Sequence, residues 1–220
     1  MKTITRRTAT LVAAGTLGLG GLAVAAPALA GAGPFGPGPF STATVGPSAP
    51  GRGYGMGSGF GAGRCMGLGV TAGQGTLTDA QKSTLASMAQ EEKLAHDLYL
   101  AFAGRYDAVV FDHIAVAESR HLTMVRTLLQ RYGVTDPTVN RPAGSFTDPA
   151  VQATYDTLLA QGGQSLSAAL AAGQQVERTD IADLRAALDA LTAPDVTQVY
   201  TSLLAASEGH LTAFTHWANR

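Results

Sequence analysis

The chain has 220 residues, with 15 basic and 16 acidic side chains, five histidines and a single cysteine. The near-neutral balance supplies no basic surface of the kind that grips a phosphate backbone, so nucleic acid is excluded as a partner. One cysteine cannot close an internal disulfide, and no Cys-x-x-Cys pair exists, so an attached rubredoxin-like iron centre is excluded as well.

Residues 1–30 read as a secretory signal. Lys2, Arg6 and Arg7 form the positive start, an apolar run from Ala9 to Ala26 follows, and Ala28-Leu29-Ala30 offers a small-x-small cleavage pattern. Thr5-Arg6-Arg7 suits the twin-arginine route, and the general secretory route fits equally well. Gly15, Gly18, Gly20, Gly21 and Pro27 interrupt the apolar run, which argues against an uncleaved membrane anchor. The expectation is a protein secreted or held at the cell envelope, with no stable membrane anchor once the signal is removed. Loss of Lys2, Arg6 and Arg7 leaves 12 basic against 16 acidic residues, a net charge near −4.

From Gly31 to Gly75 the chain is dominated by Gly, Pro, Ala and Ser, with scattered aromatics such as Phe35, Phe40, Tyr54 and Phe60. Such a segment buries too little apolar surface to offset the entropy of ordering it, so 31–75 reads as a disordered linker. Cys65 within it offers a link between two chains, which makes a homodimer one arrangement the sequence allows.

Residues 76–220 read as one all-helical domain. Thr78 and Gln81 form a capping box that opens a first long helix over about Asp79 to Ala103. Its stripe is Leu85, Met88, Ala95, Tyr99 and Phe102, with Glu92 standing where another core residue belongs. A second long helix runs from about Val110 to Tyr132 and stops at Gly133, which suits a left-handed C′ position. Ile114, Val125, Leu128 and Tyr132 form its stripe, interrupted by Glu118 and His121. The short link between these helices makes them antiparallel neighbours.

Pro137, Pro142 and Pro149 then break the chain, and Asp148-Pro149 opens a short helix carrying Val151, Tyr155, Leu158 and Leu159. A third long helix is predicted from about Leu166 to Leu191, with Leu170, Val176, Ile181, Leu184, Leu188 and Leu191 apolar and Glu177 and Asp180 on or beside that face. Pro194 at the first helical position starts a fourth, whose stripe of Val196, Val199, Tyr200, Leu203, Phe214 and Trp217 is interrupted by Ser207 and His210. Two helix hairpins joined by one long crossover are the connectivity of an antiparallel four-helix bundle of the ferritin-like kind.

The inward polar residues bear on chemistry. Residues three apart on a helix lie one turn above each other, so Glu118 and His121 can address one point, as can Ser207 and His210. Di-iron sites in ferritin-like bundles take one Glu from each of two helices and Glu-x-x-His from each of the other two. Here Glu92, Glu118-x-x-His121 and Glu177 meet that description, and Ser207-x-x-His210 departs from it. Glu92 and His121 are assigned to one metal, Glu177 and His210 to the other, with Glu118 bridging. A neutral hydroxyl is a poor ligand, so Asp180, one turn from Glu177, is the candidate replacement at Ser207, and Glu208 is aimed off the stripe. Carboxylate oxygen with imidazole nitrogen suits iron, as a di-iron or mononuclear centre, or manganese.

Glu92, Ala95 and Tyr99 resemble the Glu-x-x-Ala-x-x-x-Tyr of rubrerythrin-type first helices, and Glu118-Ser-Arg-His121 resembles their second. The run Glu91 to Tyr99, the Ala-Glu-Ser-Arg-His block ending at His121, Asp180-Ile-Ala-Asp-Leu and the final Ser-x-x-His-Leu-x-Ala-Phe are similar to the ferritin-like family catalogued as domain of unknown function 2202. The similarity spans about Leu77 to Phe214. It implies a four-helix ferritin-like fold in exported proteins with Gly-rich leaders, and it implies the fold rather than a reaction.

The same residues admit a plainer reading as a buried polar network, with Arg120, Arg126 or Arg178 available to neutralise the acids. His96 is either a further ligand or a donor to one, His113 and His216 read as surface residues, and Tyr99 and Tyr155 read as core residues rather than radical shields. Two function classes follow. One is an exported redox metalloprotein for oxygen or peroxide chemistry or ferrous oxidation, fed by an external electron donor. The other is an exported binding or structural module that has lost a complete metal site.

Overall fold

The computed structural model describes residues 69–220, and the predicted signal and most of the predicted linker lie outside them. Among the described residues the architecture is all-helical, with five helices and no strand: α1 (Asp79–Ala103), α2 (Val109–Arg131), α3 (Pro149–Gly162), α4 (Leu166–Leu188) and α5 (Pro194–Ala218). None of them is long and apolar enough to cross a membrane.

Each start and stop has a local cause. The Thr78 hydroxyl accepts the Gln81 amide at 3.2 Å while the Gln81 side chain accepts the Thr78 amide at 2.9 Å, satisfying two donors that the first turn of α1 leaves free. At the end of α2, Gly133 takes φ +62°, and the amides of Gly133 and Val134 turn back to the carbonyls of Gln130 and Leu129. That is the Schellman closure, and Gly133 adopts it without the steric cost a side chain brings. Asp148 accepts the Ala150 amide and Ser165 the Ala168 amide, opening α3 and α4.

The third long helix is shorter than its apolar pattern suggests. α4 stops at Leu188, Asp189 turns extended, and Ala190 takes φ +57°. Pro194 is already the first residue of α5, and its ring disfavours helical backbone just before it, so the chain must reverse within five residues. Leu191 keeps its apolar character because it packs against the core from the turn rather than from a helix.

Among the four long helices, α1 packs on α2 and α4, and α5 packs on α4 and α2, which closes a ring in the order α1, α2, α5, α4. The crossover from α2 to α4 carries α3, which lies against α1 and α4. Polar residues of α1 tie the crossover down. Gln90 accepts from the amides of Thr147 and Asp148, and buried Lys93 and Asp97 pair with each other while reaching the Pro142 carbonyl and the Gly144 amide. Val70 to Gly75, read from composition as the end of the linker, are also fastened: Arg131 donates to the carbonyls of Val70 and Ala72, and Tyr132 accepts the Gly75 amide.

The core divides in two. One apolar cluster gathers Leu98, Tyr99, Phe102, Phe111, Ile114, Leu170 and Phe214. The other gathers Leu85, Met88, Val125, Leu128, Leu184, Val199 and Leu203. On every long helix the stretch between the two clusters holds the polar insertions: Glu92 on α1, Glu118 and His121 on α2, Glu177 on α4, Ser207 and His210 on α5. The helices thus stack a polar layer between two greasy ones.

Candidate metal centre

Within that layer Glu92, Glu118, His121, Glu177 and Ser207 are each no more than 3 % exposed. Such groups need partners, and the arginines available in the sequence do not supply them. Arg126 is occupied by Asp136 and Thr138, Arg178 reaches Gln174, and Arg120 is exposed. The acids instead face the two histidines. Glu118 sits between the rings, with Oε2 at 2.7 Å from His121 Nδ1 and Oε1 at 2.8 Å from His210 Nδ1. Glu92 Oε2 lies 3.5 Å from the first nitrogen and Glu177 Oε2 3.6 Å from the second. The imidazoles stack with centroids 5.6 Å apart.

These contacts compose two overlapping ligand groups, Glu92 with Glu118 and His121, and Glu118 with Glu177 and His210, each with its donor atoms within 4.8 Å of one another. Glu118 belongs to both. His210 Nδ1, despite its short distance to Glu118, is oriented poorly for a hydrogen bond, and it is buried without a partner, as are Glu92 Oε1 and His121 Nε2. A layer with this many unsatisfied polar atoms is costly as a self-contained network. As a ligand set of hard oxygens and imidazole nitrogens it fits a divalent transition metal.

Burial and mutual charge set the protonation of the layer. For Glu118, burial favours the neutral acid, but the flanking His210 and His121 outweigh it and hold the carboxyl well below the usual carboxylate range. Burial likewise works against charge on the rings, yet the acids prevail: Glu118 and Glu92 lift His121 to about 12, and Glu118 and Glu177 lift His210 to about 10. Glu92 is pushed up to about 8, chiefly by burial and against the pull of His121. Burial and the Glu118 charge also raise Glu177. At neutral pH the Glu118 carboxylate therefore stands between two imidazolium rings, with Glu92 mostly protonated beside His121.

The remaining predicted residues fall into place around this centre. Asp180 is not in either group. Its Oδ2 accepts the Ser207 hydroxyl at 2.5 Å, and its Oδ1 is buried without a partner. Glu208 is exposed and paired with Arg185, and His96 bonds Asp97 away from the layer. Tyr155 is a core residue. Tyr99 is core too, but its hydroxyl donates to Glu177 Oε1 at 2.6 Å, a tie between α1 and α4 that sequence spacing does not reveal. Glu91 was equally hidden: it has a buried oxygen and faces α4, and only the adjacent pair Glu91-Glu92 hinted at it.

The model of the family described as an uncharacterized protein domain, domain of unknown function 2202, matches residues 81–220. The chain belongs to this family. A curated relative, an uncharacterized protein of Methanocaldococcus jannaschii (MJ0754), is 34 % identical over 143 residues, covering 65 % of this chain and 77 % of the relative. The crystal structure of the hypothetical protein MJ0754 has a TM-score of 0.66 to this structure at 32 % identity, covering 68 % of this chain and 85 % of that one. The region the family shares contains all four long helices except the first two residues of α1, and with them the whole polar layer.

Proposed function

We propose that this is an exported ferritin-like protein that binds iron, or alternatively manganese, in a two-ion centre and uses it for oxygen or peroxide chemistry or ferrous oxidation. One observation carries the reading: Glu118 is shared by two Glu/His groups drawn from four helices, in a buried layer with no other base among the described residues to neutralise its acids. Ring order and a single long crossover support the ferritin-like part. The Arg6-Arg7 pair, the apolar run and the Ala28-Leu29-Ala30 site support export.

The chain's own residues divide the work. Glu92 and His121 would hold one ion, Glu177 and His210 the other, and Glu118 would bridge. Iron held there would supply electrons for reducing oxygen or peroxide, one from each Fe(II) as it becomes Fe(III). Tyr99 fixes one oxygen of Glu177 and leaves the other toward His210. Asp180, held by Ser207, keeps a carboxylate in reserve where α5 offers only a hydroxyl. The two apolar clusters exclude water from both sides of the layer. Electrons return from an external donor.

Ser207 favours a second reading, since a hydroxyl in place of the expected carboxylate is what a bundle that has lost a complete site would carry. On that reading the protein is a non-catalytic exported module. Metal analysis of the protein isolated from its native compartment separates the two. Anaerobic Fe(II) reconstitution should give uptake at both ligand groups and faster oxidation than in Glu118→Ala, and no bound metal in either preparation would refute the metal reading.

A further inference from the structure

The segment Val70 to Gly75 is neither helix nor strand, yet side chains at the end of α2 and the start of α5 hold it along most of its length. The Arg131 guanidinium donates to the Val70 carbonyl at 2.6 Å and to the Ala72 carbonyl at 3.1 Å. Gln198 Oε1 accepts the amides of Thr71 at 3.1 Å and Ala72 at 2.8 Å. The Gly75 amide is shared between the Tyr132 hydroxyl oxygen at 3.0 Å and Asp195 Oδ1 at 3.3 Å. Side chains of the segment contribute less: Gln198 Nε2 donates to the Thr71 hydroxyl, and the Gln74 amide donates to the Arg131 carbonyl.

The receiving side is prepared for this task. Asp195 is fully buried, accepts the Tyr132 hydroxyl at 2.5 Å and faces Arg131 at 3.4 Å. A buried carboxylate needs such donors, and the Gly75 amide completes the set. At that end the fit is also steric. A Cβ on Gly75 would lie 2.5 Å from Ala193 Cα, which is backbone and cannot swing aside, so glycine alone fits. The segment itself buries little apolar surface: Thr71, Gly73 and Gln74 are exposed, and Val70 is its contact with the second apolar cluster. A piece held by hydrogen bonds with little burial opens at lower cost than the helices beneath it. The region shared with the family begins at residue 81, so the receiving residues lie inside it and the segment they hold lies before it.

We propose that Arg131, Tyr132, Asp195 and Gln198 form a binding site for a peptide main chain with glycine at its last position, filled in cis by Val70 to Gly75 as a detachable strap. Because the contacts go mainly to carbonyls and amides, the site selects backbone path and the absence of a side chain at one position rather than a side-chain sequence. The docked strap joins the end of α2 to the start of α5 and fixes where the preceding chain meets the bundle. The site shares no residue with the Glu/His layer, so it stands or falls apart from the metal reading.

The test is amide hydrogen exchange of the full chain, with circular dichroism to confirm the fold. In the wild type the amides of Thr71, Ala72 and Gly75 should exchange about ten- to a hundredfold more slowly than in a synthetic peptide of residues 69–76, and faster than core amides such as those of Leu128 and Val199. Gly75→Val and Gln198→Ala should bring the strap amides to the peptide rate while the core amides stay protected. Peptide rates in the wild type would overturn the site, as would unchanged strap protection in both variants. Loss of core protection in both would make the segment an inseparable part of the fold and overturn it too. Protection of that size in cis, at an effective concentration on the order of millimolar, corresponds to a Kd of roughly 10–100 μM in trans. The 69–76 peptide at about 1 mM should therefore raise the Tm of the Gly75→Val chain by a few degrees, and the same peptide carrying Gly75→Val should not. An equal response to the two peptides, or none to either, would count against a binding site.

Discussion

Replacing Glu118 by Gln keeps the side chain's volume and removes the one charge that both ligand groups share. Two close contacts lose their ionic character, at 2.7 Å to His121 and 2.8 Å to His210. Breaking a buried ion pair costs about 3–5 kcal/mol when the stranded charge cannot leave. Here it can, because an imidazole without its acid returns toward its ordinary pKa of about 6.5 and sheds the proton near neutrality. The loss is then that of the charge-assisted hydrogen bond to His121 and of the ionic contact with His210, about 1.5–3 kcal/mol. For a domain of this size that corresponds to a fall in Tm of about 5–10 °C. A purely structural network would give the same drop, so the informative measurement is the response to metal. At a hundredfold excess over Kd, a bound ion adds about 2.7 kcal/mol, or roughly 8 °C, to the wild-type Tm. Differential scanning fluorimetry of metal-free and Mn(II)-loaded protein should show that increment in the wild type and none in Glu118→Gln. An equal metal-induced rise in both proteins would refute the reasoning.

The acid–base state of the layer fixes a pH dependence with a definite sign. His121 and His210 are raised to about 12 and about 10, and Glu92 to about 8, so the folded metal-free protein holds protons that the unfolded chain releases earlier. That stability is fully present below the unfolded values and is lost as pH rises through the folded ones, so thermal melts of the metal-free protein should fall from about pH 6 to pH 10. Metal binding must expel the same protons, so affinity should rise with pH, and calorimetry in buffers of different ionisation heat should detect proton release. Zero protons released would contradict the assignment. Tyr99→Phe removes the 2.6 Å bond to Glu177 and should cost about 1 kcal/mol, with metal titration showing weaker binding at the Glu177/His210 group and little change at the other. Gly173→Ala would place a Cβ 2.9 Å from the Phe214 ring, which is fully buried, and should destabilise by about 1–3 kcal/mol in urea unfolding. Gly209→Ala, with open space around the new methyl, should instead stabilise α5 by up to about 1 kcal/mol.

Much of this was legible in the chain because helical periodicity is a strong signal and the exceptions to it are few. Glu92, Glu118, Glu177 and His210 announced themselves as ionisable residues in apolar stripes, and the Thr78 cap and Pro194 at the first helical position placed the starts of α1 and α5. What periodicity cannot convey is which helix lies across from which. Glu91 reads as a surface acid until α4 is seen against it, and Tyr99 reads as plain core until Glu177 is found beneath its hydroxyl. Lys93 and Asp97 were invisible for the same reason: they are buried by the crossover, whose path depends on contacts far apart in sequence. The end of α4 escaped because Leu188 and Leu191 are both apolar whether the chain there is helix or turn.

The departure at Ser207 takes a different meaning once the ring order is known. Counted by motif, α5 lacks an acid. Counted by position in the polar layer, Ser207 brings one to it from α4, because its hydroxyl bonds Asp180 at 2.5 Å and the charges of Glu92 and Glu177 act on that aspartate. This carboxylate stands on the neighbouring helix α4 and is tied to α5 by a hydrogen bond. The two halves of the layer therefore differ in exposure: the His121 side chain is closed at 1 % exposure, and the His210 side chain is 14 % exposed. On the proposed metal reading, exchange with solvent would be faster at the His210 group and retention longer at the His121 group.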